Sequence, residues 1–311
     1  MKNEKVFIEN IYIPNQVAEQ GSVVAVGSFD GVHLGHKAML NALSEEAKKR
    51  NLKSVVVTFD VENSPKSGLG SLADEEKKKE LLLKNGVDHI VSLPFCELKD
   101  VSAFDFAKKV LFEKLGAKAL VCGYDFRFGK DREGNIDFLK EHLSSFGVEF
   151  ITPKAVMSDN SPISSTMIRN AVTNGDFTLA NSLLGHEFSF KAEIISGRHL
   201  GRTLGFPTIN QKFPKTLAVP KFGVYAVRVL LCGKEYNGVA NFGIKPTIAS
   251  DTEPICETYI FDYSGDCYGE TAQISFVSMI REEKKFSSLE ELAMQVERDK
   301  TSALTILSKG E

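Results

Sequence analysis

The sequence is poor in cysteine and contains no long apolar run. Its five cysteines are odd in number, widely spaced and without a C-x-x-C pair, which argues against both a zinc site and a disulfide framework. We therefore expect them to be reduced and buried in a cytoplasmic protein. No stretch approaches the roughly 20 apolar residues of a membrane span. The start MKNEKVFIEN lacks the apolar core of a signal peptide.

The chain also lacks a strong excess of charge. Its formal net charge is −3, so there is no overall basic field to attract nucleic acid or an anionic membrane. We expect neither as a partner, and any phosphate must be bound by local groups. The 311 residues suffice for one large domain or two ordinary ones.

Two halves of the chain have different patterns. The first alternates apolar runs such as SVVAV and KSVVVTF with amphipathic segments, which predicts an α/β domain with a parallel sheet covered on both faces. From about residue 185, short segments rich in Val, Ile, Tyr and Phe alternate with turn residues. This pattern predicts a small antiparallel β-barrel with a terminal helix from about Ser288. We place the boundary at 184–188, between domains 1–185 and 186–311.

The first candidate site is the segment VAVGSFDGVHLGHKAML, Val24–Leu40, where a strand gives way to a helix. The start of a helix offers free N–H groups and the positive end of its dipole, which suit phosphate. His33 and His36 lie there and can donate hydrogen bonds to phosphate oxygens. The glycines would let the backbone approach a nucleotide closely. A simpler interpretation is that the glycines are turn residues and the histidines are helix caps.

A second segment in the first half, ISSTMIRNAV, supports the phosphate hypothesis. Ser164 and Ser165 are suitable N-cap residues, and Arg169 follows one helical turn later. Free amides, a serine and an arginine would together bind an anion. Taken alone, the segment is equally typical of an ordinary capped helix with a surface arginine.

The second half contains a glycine-rich segment, SGRHLGRTLGFPTIN, Ser196–Asn210, that could expose amides to a second phosphate. Thr208 and Asn210 alternate along an extended chain, so their side chains point the same way. Their hydroxyl and carboxamide oxygens are hard ligands suited to Mg²⁺. The alternative is a barrel corner with turn glycines.

These motifs carry a family resemblance. Two motifs of the first half, G-x-F-D-G-x-H-x-G-H and S-S-T-x-x-R, resemble those of the nucleotidyltransferases with an H-x-G-H signature. Their particular residues are similar to those of the prokaryotic FAD synthetases, which are bifunctional riboflavin kinase/FMN adenylyltransferases. GYDFRFGKDREGN resembles the G-x-D-F-x-F-G segment of that family. GRTLGFPTIN resembles the riboflavin kinase signature G-R-x-L-G-F-P-T-A-N, with Ile209 in place of alanine. Four further segments of the second half match the riboflavin kinase family in the same order: GVYAV, ANFGIKPTI, ETYIFDYSGDCYGE and MIREEKKFSSLEEL.

The resemblance implies a Rossmann-like nucleotidyltransferase domain followed by a riboflavin kinase barrel. It implies ATP and Mg²⁺ as requirements, FMN and FAD as products, and Glu257 as the general base of the kinase. One departure is TFDVENSPK, Thr58–Lys66, which lacks the histidine of the T-F-x-P-H-P segment of the family. The resemblance therefore does not extend to the flap contacts of that segment, but it still covers the phosphate site.

The predicted site residues form three groups. The predicted catalytic residues are Glu257, His33, His36 and Arg169. The predicted ATP-binding residues are Gly27, Phe29, Asp30, Gly31, His33, Gly35, His36, Ser164, Ser165 and Arg169 in the first half and Gly197, Gly201, Arg202, Gly205, Pro207, Thr208 and Asn210 in the second, with Thr208 and Asn210 also as metal ligands. The predicted flavin-binding residues are Asp125, Phe126, Phe128, Arg281 and Phe286.

Three other functions stay open. The barrel could bind flavin without phosphorylating it, although Thr208, Asn210 and Glu257 are all present. The H-x-G-H domain could transfer a nucleotide to another acceptor such as phosphopantetheine, although the barrel motif points to flavin. The chain could be a flavin-binding regulator that touches RNA, which the acidic balance disfavours. We expect a monomer or a weak homo-oligomer.

Overall fold

The computed structural model describes residues 15–60, 69–196, 205–244 and 253–310. Contacts divide the chain into two compact units that part between Ser164 and Ser165. The helices just before residue 185 therefore group with the second unit. One reason is that the Asn181 side chain donates a 2.8 Å hydrogen bond to the Phe276 carbonyl. The functional domain boundary at 184–188 stays a prediction.

The first unit contains a sheet of five parallel strands in the order β3-β2-β1-β4-β5. The central strand has every residue buried, as its uninterrupted apolar sequence predicts. The predicted α/β architecture is thus confirmed. The strands are β1 (Ser22–Val26), β2 (Lys53–Phe59), β3 (His89–Leu93), β4 (Ala117–Val121) and β5 (Glu149–Ile151), followed by a two-stranded ribbon of β6 (Met157–Ser158) and β7 (Ser161–Pro162).

Helices cover both faces of this sheet. Successive side chains of β1 alternate, so Val24 and Val26 join one apolar cluster while Val23 and Ala25 join another. The helices are α1 (Asn15–Gln20), α2 (Leu34–Arg50), α3 (Glu75–Lys84), α4 (Phe95–Leu98), α5 (Ala103–Asp105), which continues as a π-helical segment (Phe106–Lys114), and α6 (Ile136–Leu143).

A fully buried lysine lies between α3 and the end of β2. The Lys78 ammonium, whose side chain is 2% exposed, donates to the Phe59 carbonyl at 2.5 Å and forms a 2.9 Å ion pair with Glu75. Ser92 also donates to Glu75. Burial alone would raise the pKa of the Glu75 carboxyl, but the hydrogen bond and charge of Lys78 outweigh it and lower that pKa. The hydrogen bond from the same ammonium to the Phe59 carbonyl connects α3 to the carboxyl end of β2.

We expect the substitution Lys78→Ala to lower the free energy of unfolding by roughly 3 kcal/mol, because the Glu75 carboxylate and the Phe59 carbonyl both lose the buried ammonium, and Ser92 and the exposed Lys79 do not replace it. Lys79→Ala is the matched control, since Lys79 pairs with the same carboxylate at 3.5 Å from an exposed position. It should cost less than about 1 kcal/mol. Urea unfolding followed by circular dichroism measures both. Equal losses would contradict the role of the buried lysine.

The second unit is built on six antiparallel strands in the order β8-β13-β10-β11-β12-β9. A bridge between Ile195 and Asn210 links the two edges, so the sheet curls in the manner of a barrel, as predicted. The strands are β8 (Phe188–Glu193), β9 (Thr208–Lys212), β10 (Gly223–Leu231), β11 (Lys234–Ile244), β12 (Pro254–Ile260) and β13 (Thr271–Arg281).

The two faces of this sheet have different cores. One is aromatic, with Phe276 packed against Phe190 and Phe242. The other places Val224 and Val239 in a cluster with the terminal helix. The helices are α7 (Ser165–Thr173), α8 (Phe177–Leu184) and α9 (Leu289–Leu307), and Ser288 caps α9 by accepting from the Glu291 amide. The terminal helix starts where the sequence predicts it.

The cysteines depart from the prediction in part. All five are free, but only Cys122, Cys256 and Cys267 are buried. Cys96 is exposed in the short helix α4, and Cys232 is exposed in the two-residue turn between β10 and β11, where its φ is 50°. The expected burial of these two cysteines was therefore wrong, because one lies in a short surface helix and the other in a surface turn. Among the described residues, no helix is long and apolar enough to cross a membrane.

Candidate active sites

The loop between β1 and α2 has a backbone that the predicted turn glycines alone do not explain. Phe29 has a φ of 47°, Gly31 of 75° and Val32 of 41°. The Phe29 ring is fully buried in the core, and the Asp30 carboxylate accepts a 2.7 Å hydrogen bond from the Leu72 amide. Phe29 can therefore offer a ligand only its backbone, and the Asp30 carboxylate helps to build the loop.

The two histidines of this loop lie side by side at the start of α2. Their rings stack with centroids 3.7 Å apart, and the His36 ring also lies 5.1 Å from the Phe29 ring. His33 Nδ1 accepts a long, 3.4 Å hydrogen bond from the His36 amide. A neutral His33 ring that accepts at Nδ1 has its proton on Nε2, and such an N–H can donate to an anion. The capping and anion-binding interpretations are thus compatible.

Two of the predicted glycines are needed for close packing rather than for an unusual φ. A Cβ at Gly35 would lie 3.1 Å from the His33 ring, and a Cβ at Gly27 would lie 3.2 Å from the Phe29 ring. Both positions therefore favour glycine so that these rings can lie against the loop.

The helix α7, which carries the predicted serine and arginine ligands, belongs to the second unit, which begins at Ser165. Ser164 is half-buried, whereas Ser165 and Arg169 are buried, with exposed fractions of 6% and 5%. A spacing of four residues puts the Ser165 hydroxyl and the Arg169 guanidinium on the same face of the helix, one turn apart. A buried guanidinium beside a serine is a suitable ligand set for an anion.

A cavity of about 320 Å³ opens at the carboxyl ends of β1 and β2 in the first unit. Ligands in open α/β sheets bind at this edge. Phe126 and Phe128 line it and stack on each other at 5.0 Å, so the structure brings these two predicted flavin ligands together. Asp125 is exposed and is not part of the lining.

Sequence reasoning missed several residues of this cavity. Phe59 and Phe95 form an edge-to-face pair at 5.6 Å, and the wall also includes Lys99, Arg127 and Arg132. The position of Phe59 at the end of a buried strand could have indicated it. The cations lie among or near aromatic residues in the chain, but no spacing rule identifies them.

The second candidate site lies on β9 and β12. The Thr208 hydroxyl donates a 2.8 Å hydrogen bond to Glu257 Oε1, and Asn210 lies directly opposite Glu257 in the strand register. Directly opposed residues project from the same face of a sheet. Thr208, Asn210 and Glu257 therefore share one face, close together. Gly205 and Pro207 precede β9, and Gly197, Gly201 and Arg202 lie outside the described residues.

The predicted flavin ligands of the second unit are held near α9. Asp299 accepts hydrogen bonds from Arg281 Nε at 3.0 Å and from Arg281 Nη2 at 2.7 Å, and its carboxylate is almost fully buried. Gln295 donates to the same carboxylate at 2.8 Å. The guanidinium lies 5.7 Å from the Phe286 ring. Sequence reasoning missed Asp299, whose signal is an acidic residue on the buried side of a helix.

Comparison with known proteins accounts for both halves of the chain. A family model described as FAD synthetase matches residues 15–167, and one described as riboflavin kinase matches residues 184–307. The bifunctional riboflavin kinase/FMN adenylyltransferase of Escherichia coli K12 is 36% identical over 95% of this chain and 96% of its own length. That of Listeria monocytogenes is 33% identical over 98% of this chain and 99% of its own length.

A solved structure agrees with the whole fold. The crystal structure of a protein described as a macrolide-efflux protein from Streptococcus pneumoniae superposes with a TM-score of 0.84 at 30% identity, covering 95% of this chain and 96% of that one. The two family models, their order and the near-complete coverage confirm the resemblance that the motifs carry. The chain belongs to the family of bifunctional riboflavin kinase/FMN adenylyltransferases.

Proposed function

We propose that this chain makes FAD in two steps, each performed by one half of the chain. The C-terminal half phosphorylates riboflavin to FMN with ATP. The N-terminal half transfers AMP from a second ATP to FMN, giving FAD and pyrophosphate. The observation that carries this proposal is that both family domains occur in order in one chain that matches its bifunctional relatives from end to end.

In the kinase step, Glu257 acts as the general base. Its carboxylate accepts the proton of the terminal ribityl hydroxyl as that oxygen attacks the γ-phosphorus of ATP, and ADP leaves. Thr208 supports this role because its hydroxyl donates to the same carboxylate and so orients it. Gly197, Gly201, Arg202, Gly205 and Pro207 are proposed to bind the nucleotide.

Mg²⁺ is proposed as the metal that accompanies ATP. Thr208 and Asn210 would hold it, since their hydroxyl and carboxamide oxygens lie on one face beside the Glu257 carboxylate. Such hard oxygen donors fit Mg²⁺, which favours oxygen ligands and a shared phosphate. When bound, the metal neutralises charge on the triphosphate.

In the adenylylation step, the FMN phosphate attacks the α-phosphorus directly and pyrophosphate leaves, without a covalent enzyme intermediate. His33 and His36 orient the triphosphate and donate hydrogen bonds as its charge grows. The stacked rings at the start of a 17-residue helix support this role. Arg169 is the third proposed catalytic residue. The further proposed ATP ligands are Gly27, Phe29, Asp30, Gly31, Gly35, Ser164 and Ser165.

The aromatic cavity of the first unit is the proposed flavin site. Its aromatic wall suits an isoalloxazine ring, and its volume of about 320 Å³ suits a small-molecule ligand. Arg127 and Arg132 on the same wall provide positive charge for the FMN phosphate. We keep Asp125 as a predicted contact. We also propose a cytoplasmic monomer or weak homo-oligomer that binds no nucleic acid.

Chromatography of riboflavin, FMN and FAD tests the proposal. We expect purified protein with ATP and Mg²⁺ to convert riboflavin first to FMN and then to FAD, with pyrophosphate formed only in the second step. Unchanged riboflavin would overturn the kinase assignment and favour a barrel that merely binds flavin. FMN without FAD would overturn the adenylylation assignment and favour another acceptor. No product from either substrate would favour the regulator.

A further inference from the structure

The register of the second sheet aligns five residues in one row across five strands. Asn210 lies opposite Glu257, Glu257 opposite Asn241, Asn241 opposite Val224, and Val224 opposite Arg281. Directly opposed residues share a face, so all five belong to the same face of the sheet. The contact of Arg281 with Asp299 identifies it as the face that also carries α9.

The row has a chemical order. Glu257 is the proposed base and marks the end of the substrate that is phosphorylated. Arg281 is a proposed flavin contact and lies three strands away, about 14 Å at the usual strand spacing. In riboflavin the ribityl chain joins these two ends. Val224, which separates Asn241 from Arg281 in the row, is buried in the apolar cluster with α9, whereas Asn241 is half-buried and within reach of a ligand. The residue beside Glu257 on the way to Arg281 is Asn241, whose Cβ lies about 5 Å from that of Glu257.

Asn241 has no evident structural task. Asparagine is depleted in strands, and this one lies inside an eleven-residue strand. Among the residues that the structure describes, no hydrogen bond of its carboxamide is present, and the residue is half-buried. Two residues earlier on the same face, Val239 packs under α9 in an apolar cluster, so the polar group begins where that cluster ends.

We infer that Asn241 binds the ribityl chain of riboflavin and thereby selects a flavin that carries a polyol. A carboxamide both donates and accepts hydrogen bonds, as each ribityl hydroxyl does. The inference rests on the proposed kinase function of this half. Because the contact is made equally before and during phosphate transfer, Asn241 contributes to substrate affinity and not to the chemical step.

The test compares Asn241→Ala with the intact full chain by measuring FMN formation. We expect the KM for riboflavin to rise about tenfold while kcat and the KM for ATP change less than about twofold. Lumiflavin, which has a methyl group in place of the ribityl chain, is the probe. Its inhibition constant in the kinase reaction should be the same for both proteins.

The matched control is Asn237→Ala, because Asn237 is an exposed asparagine on the same strand and the same face, outside the row. It should leave the riboflavin KM unchanged. Asn241→Ser replaces the carboxamide with a hydroxyl, which can also donate and accept a hydrogen bond. It should therefore recover part of the riboflavin affinity that Asn241→Ala loses.

Four results would overturn the inference: an unchanged riboflavin KM, a parallel rise in the lumiflavin constant, a fall in kcat alone, or a rise in the KM for ATP. Intact chain that makes no FMN would instead overturn the proposed kinase function, so the two failures can be told apart. Thermal unfolding of each variant checks that it is folded. If Asn241→Ala does not fold, the same KM measurements are made on Asn241→Ser.

Discussion

Replacing Glu257 with glutamine should nearly abolish the conversion of riboflavin to FMN, with kcat falling by about 10²–10⁴-fold. The carboxamide has almost the same size and can still accept the hydrogen bond from Thr208, but it cannot take up the proton of the attacking hydroxyl. FMN added from outside should still be converted to FAD at the normal rate. The measurement is chromatography of flavins under saturating ATP, with each step assayed from its own substrate.

Glu253→Gln is the control for this substitution. Glu253 lies four residues earlier, just before β12, and pairs with Lys212 and Lys215. The same change of charge there should leave FMN formation intact. Thr208→Ala should act in the same direction as Glu257→Gln, because it removes the hydroxyl that contacts the base. A folded Glu257→Gln protein that loses both steps would contradict the assignment of the two steps to separate sites.

The second large effect is expected at the other site. His36→Ala should lower kcat/KM for the conversion of FMN to FAD by about 10²–10³-fold while FMN formation stays normal. The substitution removes a hydrogen-bond donor placed where charge grows on the triphosphate. It also removes the ring that stacks on His33, so some loss of ATP affinity is expected as well.

His142→Ala is the control, since His142 is an exposed histidine on α6 in the same unit. It should leave both steps unchanged. Because retained kinase activity reports only on the second unit, thermal unfolding followed by circular dichroism must check that the first unit of His36→Ala is intact. Normal FAD formation by a folded His36→Ala protein would remove His36 from the catalytic residues.

The local features of the fold could be predicted from the sequence because they depend on near neighbours. The apolar run of β1 predicts a strand buried on both faces, and all five of its residues are buried. Between β10 and β11, Cys232 and Gly233 both have the positive φ that a two-residue hairpin turn requires. The strand-to-helix position of His33 and His36 follows from the same local reasoning.

The composition of the sites could be predicted only in part, since it depends on pairing between distant segments. Phe59 and Phe95 meet because β2 and β3 end at the same edge of the sheet and α4 begins with Phe95 just after β3, and no local pattern encodes that contact. Likewise Asn241 reaches the side of Glu257 only through strand register. A slip of one residue would turn it to the opposite face.

The strand order of the second unit has a consequence for biosynthesis. Phe188, in the first strand of this sheet, pairs with Phe276 in the last, so the nascent polypeptide must leave the ribosome almost completely before the sheet can close. The parallel sheet of the first unit has no such dependence on distant C-terminal residues. Translation thus completes all the strands of the first sheet well before the ribosome releases the last strand of the second, so the two sheets can form one after the other.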